Sequence, residues 1–223
     1  MTTVSADITG HPVTKAPVAE TPVGSMGGVV IADPAPLGLA AFGLTTLVLS
    51  AINAGWVGDA ATPAVLALAI PFGGAAQIFA GMWAFRRGST FAATAFTSFG
   101  AFWISYYLLV NFFIAPVLNN PAGGLGEAHT IVGLYLFSWG VFTTYMFVAS
   151  LGSARAVQLV FFLLAATFFL LCIGEWASPA DKPYSDFWHH FGGWAGMATA
   201  AAALYVSFAD VTNANLKKTV LPT

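Results

Sequence analysis

Apolar residues fall into six blocks along this chain, at roughly 37–56, 64–85, 91–116, 130–150, 157–176 and 190–208. Each is close to the ~20 residues that a helix needs to cross a bilayer. Polar residues gather between the blocks. Arg86, Arg87, Gly88 and Ser89 make a tight charged hairpin between the second and third, and Gly152, Ser153, Ala154 and Arg155 separate the fourth from the fifth. A polar connection from Ser178 to His189, holding Pro179 and Pro183, leads into the sixth. The pattern predicts an all-α integral membrane protein, a six-transmembrane-helix bundle. Residues 1–32 show no helical or strand period, and they lack the basic start and apolar core of a signal peptide. They read as a disordered N-terminal tail that is retained. Residues 33–210 form the transmembrane domain and 211–223 a C-terminal tail.

Charge sharpens this picture. Only 7% of the residues are charged, against about 25% in an ordinary soluble domain. An even number of spans puts both termini on one side, together with Lys15, Arg86, Arg87, Arg155, Lys217 and Lys218. The other side holds Lys182, with Asp59, Glu127, Glu175, Asp181 and Asp186 on or near it. The positive-inside rule therefore predicts cytoplasmic termini. Basic residues are too sparse for nucleic acid, and no nucleotide loop, nucleophile elbow or HExxH run occurs. The lone Cys172 permits neither an internal disulfide nor a thiolate cluster. His11 lies in the tail and His129 at a span edge, while His189 and His190 are adjacent and so point about 100° apart on a helix. No haem, zinc or other cofactor is expected from such a set.

Polar and small residues inside the spans mark where helices meet or enclose water. Phe42, Thr46, Leu49 and Asn53 share one helical face, as do Gly74, Gln77 and Gly81. The amides of Asn53 and Gln77 must be satisfied in hydrocarbon, and two readings stay open for them: helix–helix hydrogen bonding or pore lining. Gly192 with Gly196, and Ala198 with Ala202, have the spacing of close helix packing. Glu175 ends an apolar run whose Phe161, Leu164, Phe168 and Leu171 lie on its own face. Intramembrane acids are functional candidates, but its place at the end of the span predicts the lipid headgroups.

Several long motifs then identify a resemblance. Asp33-Pro34-Ala35-Pro36-Leu37-Gly38-Leu39, followed by Phe42 and Thr45-Thr46, closely resembles the N-P-A-P-L-G-L motif of the acetate uptake transporters, the succinate–acetate permease family. The likeness continues through Gly73 to Gly81, Gly88 to Phe91, Thr94 to Gly100 with Phe102-Trp103, and Trp139 to Thr143. His190 to Trp194 and Thr219-Val220-Leu221-Pro222 complete it. The resemblance implies six transmembrane helices, a solute path through each protomer and a ring-shaped homo-hexamer that moves acetate and, in some members, succinate. It also implies an apolar constriction of Phe42, Phe99 and Leu164, with a substrate-influencing alanine at Ala203. This chain departs from the family at three places. Asp33 replaces the usual Asn, Phe99 stands where the constriction usually has Tyr, and Ala84 stands where many members have an acid.

An apolar gate makes the passage of an ionised carboxylate costly, and no Lys or Arg within a span offsets it. The solute then crosses as the neutral acid, or as an anion steadied by Thr45, Thr46, Asn53, Gln77, Ser98 and backbone N–H groups. Asp33-Pro34 reads as an N-cap followed by proline at the first helical position, directing a positive helix end toward the pore mouth. The sequence is thus read as a channel or proton-linked transporter for acetate and related small monocarboxylates in the cell membrane. The alternative is a channel for urea or short neutral amides, which Phe99 makes more attractive. A membrane enzyme or haem subunit would need a nucleophile–base set or paired histidines within the spans.

Overall fold

The computed structural model describes residues 25–26, 29–120, 124–177 and 182–223. The expected disordered tail, residues 1–32, lies largely outside them. Six helices long and apolar enough to cross a membrane dominate the described residues: Ala35–Asn53, Asp59–Arg86, Thr90–Leu118, Gly124–Gly152, Arg155–Ala177 and Lys182–Leu216. They are numbered one to six below.

The boundaries differ from the sequence reading at several places, helices 2 and 4 beginning at Asp59 and Gly124 rather than near 64 and 130. Helix 1 begins at Ala35 with Pro34 at its N-cap, one residue later than predicted. The Asp33 carboxylate still serves the helix end, since its Oδ1 accepts the Ala35 N–H at 2.9 Å. Its Oδ2 lies 2.8 Å from Arg87 Nη1, so the acid in place of the family's Asn ties the start of helix 1 to the hairpin after helix 2. Helix 6 already runs from Lys182, well before the predicted 190, because Pro183 sits in the first turn, where a missing N–H costs nothing. It also continues to Leu216, so part of the presumed tail is helical. The closing segment folds back on it: Asn213 Oδ1 accepts the N–H groups of Val220 and Leu221, and Tyr205 donates to the Pro222 carbonyl at 2.7 Å.

Helix 2 is not uniformly α-helical. Ala69–Ala76 is a π-helical stretch around Pro71, whose ring removes one N–H and crowds the preceding carbonyls. Leu109–Phe113 of helix 3 is likewise π-helical, just before Pro116.

Helix 6 packs along helices 1 and 5, helix 5 along helix 4, and helices 1, 2 and 3 against one another. Glycine sets the closest of these approaches. A Cβ on Gly193 would meet the backbone nitrogen of Ala54 and stand 2.5 Å from the Asn53 carbonyl carbon. Gly192 and Gly196 are buried, as the spacing predicted, and so is Gly193, whereas Ala198 is exposed. Helices 3 and 4 are joined differently. Away from their connecting loop they meet through side chains: Phe102 against Tyr135 at 5.8 Å and Trp139 at 5.2 Å, Phe99 against Phe142 at 5.4 Å. The outer surface keeps Phe79, Phe113 and Phe208 largely exposed, an apolar exterior suited to lipid.

Candidate functional site

Two cavities approach each other inside the bundle. The wider, about 790 Å³, opens where helix 1 ends and helix 6 begins, and Asn53, Asp59, Lys182 and Asp186 lie in its wall. The narrower, about 160 Å³, is walled by Ala35, Ser153 and Asp210 toward the opposite end. Phe42 and Leu164 line both. Each is about 4% exposed. They come from helices 1 and 5, whose inward faces are fixed by the packing of both helices on helix 6.

Phe99, from helix 3, lines the narrower cavity beside them, its ring 5.7 Å from that of Phe42. Phe161 adds a fourth apolar group, its ring 6.1 Å from Phe99. The sequence reading did not single it out as a pore residue, although it lies on the same helical face as Leu164.

The expected path residues divide. Thr46 and Asn53 line the wider cavity and Gln77 the narrower. Thr45 and Ala203 are fully buried and line neither cavity; the Thr45 hydroxyl donates to the Ala41 carbonyl at 2.9 Å. Ser98 is half-buried and also lines neither. Trp103 was missed. It lines the wider cavity, and its Nε1 is buried with no hydrogen-bond partner among the described residues. Thr46 Oγ1 and Gln77 Oε1 are in the same condition. Unpaired buried polar atoms are costly, and these three belong to residues that line the two cavities.

Glu175 is the clearest correction. Its side chain does not reach out to the lipid headgroups; it lines the wider cavity, with His129 Nδ1 at 2.7 Å from Oε2 and His189 Nε2 at 3.3 Å from Oε1. The reason is the rotation of helix 5, which buries Phe161, Leu164, Phe168 and Leu171 and carries Glu175 round on the same inward face. Among the described residues no group of three or more His, Cys, Asp or Glu has the geometry to hold a metal ion.

Comparison with known proteins supplies the context for this geometry. The model of the GPR1/FUN34/yaaH family matches residues 23–223. The chain is 43% identical over 199 residues, 88% of its length and 97% of the relative's, to the succinate-acetate/proton symporter SatP of Escherichia coli strain K12. It is 37% identical over 198 residues, 86% of its length and 65% of the relative's, to acetate permease A of Emericella nidulans. Among solved structures, that of the bacterial acetate channel SatP superposes with a TM-score of 0.73 at 40% identity, covering 86% of this chain and 98% of that one.

Proposed function

Because the chain belongs to the GPR1/FUN34/yaaH family, we propose that it carries acetate and related small monocarboxylates across the cell membrane along the two cavities, through a gate of Phe42, Phe99 and Leu164. The observation that carries this reading is that Phe42 and Leu164 stand in the walls of both cavities. A solute leaving one for the other must pass these apolar side chains, which exclude hydrated ions by the cost of stripping their water. Six spans with cytoplasmic termini and a ring of six protomers complete the reading. The basic residues at the end holding Ala35 support the sidedness.

Labelled acetate and labelled urea, offered to the same proteoliposomes, test it. Acetate uptake above that of protein-free vesicles is expected, rising as the external pH falls from 8 toward 6. The neutral fraction of a carboxylic acid with a pKa near 4–5 grows in that direction. Uptake of urea without acetate would overturn it.

Thr46 and Trp103 supply the donors on the wide side of the gate. Thr46→Val and Trp103→Phe each remove a hydrogen bond to a passing carboxyl group, worth about 0.5–1.5 kcal/mol. Each is expected to raise the KM for acetate about two- to tenfold; Thr46→Val should do so with little change in melting temperature, since its hydroxyl has no partner among the described residues, whereas Trp103→Phe should also melt lower, because it shortens a fully buried ring system. An unchanged KM in both variants would take these side chains off the path.

A further inference from the structure

Three side chains from three different helices meet in the wall of the wider cavity. His129 comes from helix 4, Glu175 from helix 5 and His189 from helix 6. All three are less than a third exposed. The packing makes room for the cluster deliberately, because a Cβ on Gly174 would stand 2.7 Å from the His189 ring. The Ser185 hydroxyl, which donates to the Gly174 carbonyl at 2.9 Å and lies 3.5 Å from His189 Nδ1, holds the other side of that imidazole. An ionised carboxylate accepts only, so the hydrogen between His129 and Glu175 belongs to Nδ1. That fixes the tautomer and leaves Nε2 of His129 as the nitrogen that gains and loses a proton. His189 Nε2 is enclosed against Glu175 and off the axis of a hydrogen bond.

We propose that His129, oriented by Glu175 and steadied by His189, is the proton-loading site of the wider cavity, protonating a monocarboxylate before it reaches the gate. This rests on the acetate reading above. The imidazolium N–H bond at Nε2 breaks and an O–H bond forms on the entering carboxylate, which becomes the neutral acid. The imidazole is left neutral with its hydrogen on Nδ1, and Nε2 regains a proton from water at the cavity mouth. An apolar gate passes the product of that step far more readily than the anion. The other titratable groups around the cluster are Tyr135 on helix 4, Tyr106 on helix 3 and Asp59 on helix 2. On helix 6 are Lys182, Asp186 and His190 in the same wall, and on helix 5 Cys172 lies one turn before Glu175.

Acetate exchange in proteoliposomes, with the same pH inside and out, separates loaded from unloaded transport. The wild-type rate is expected to level off toward the acid end of the range, because a single loading group saturates. In His129→Asn and Glu175→Gln it should instead follow free acetic acid, rising about tenfold per pH unit down to 5.5. The exposed Glu127→Gln, on the same helix, should keep the wild-type profile. Variants that retain the plateau overturn the proposal, as does a wild-type rate that climbs tenfold per unit throughout. The wild-type profile therefore decides even where Glu175→Gln does not fold. Absence of any protein-dependent acetate exchange in the wild type would instead refute the acetate reading itself.

Discussion

Replacing Phe42 with alanine is expected to let succinate through at a rate that raises the succinate-to-acetate flux ratio about tenfold or more, and Leu164→Ala should act in the same direction. Both side chains stand between the two cavities, so truncating either joins the spaces and widens the passage at its narrowest proposed point. A four-carbon diacid differs from acetate chiefly in length and in a second group to be dehydrated. Widening removes the first obstacle and admits water to ease the second. A tenfold change corresponds to about 1.4 kcal/mol of barrier, well within what a lost aromatic ring supplies. Large-to-small truncation at a buried site costs about 2–5 kcal/mol of stability. The loss here should fall at the lower end, because part of each side chain already borders open space. Uptake of both labelled acids and a melting curve on one preparation check this. A folded variant with an unaltered ratio removes the residue from the gate.

The largest structural effect is expected at Gly193. Alanine there would drive its Cβ into the backbone between Asn53 and Ala54, and backbone cannot rotate aside as a side chain can. Overpacking usually costs about 1–3 kcal/mol, occasionally more; with backbone as the obstacle, about 3 kcal/mol or more is expected. On the scale of soluble domains of this size, where 1 kcal/mol moves the midpoint by about 2–4 °C, Gly193→Ala should melt about 6–12 °C lower or fail to accumulate. Gly152→Ala is the matched comparison, since nothing lies within 4 Å of the Cβ it would add. Thermal melting of both in detergent decides the matter. Equal midpoints would mean that helices 1 and 6 part easily.

What the residues revealed in advance, and what they did not, follows from the kind of information each carries. Helix number was plain, because bilayer thickness imposes one length and the charges mark every turn. Phe42 and Leu164 were reached through resemblance, and Thr46 and Asn53 through their shared face with Phe42. Thr45 sits beside Thr46 with the same chemistry, and only the helix rotation separates the buried hydroxyl bonded to Ala41 from the one beside the cavity. Glu175 was visible as an acid closing an apolar run. Its partners are 46 residues earlier and 14 later, and no periodicity within one helix reports which neighbouring helix a face will meet. Trp103 was quoted as part of a motif, but the unpaired state of its indole nitrogen exists only once the surrounding helices are in place.

The contrast between the two ways helices are joined has a mechanical consequence. Where helices 1 and 6 touch, glycine brings main chain against main chain, and that joint has no spare coordinate to yield along. Where helices 3 and 4 meet, aromatic rings fill the gap, one pair stacked and two edge-on, and rings can tilt without breaking a single helical hydrogen bond. The path therefore has a rigid wall and a compliant one. A solute that needs more room is expected to gain it on the aromatic side, like a spring-loaded jaw closing on a fixed anvil.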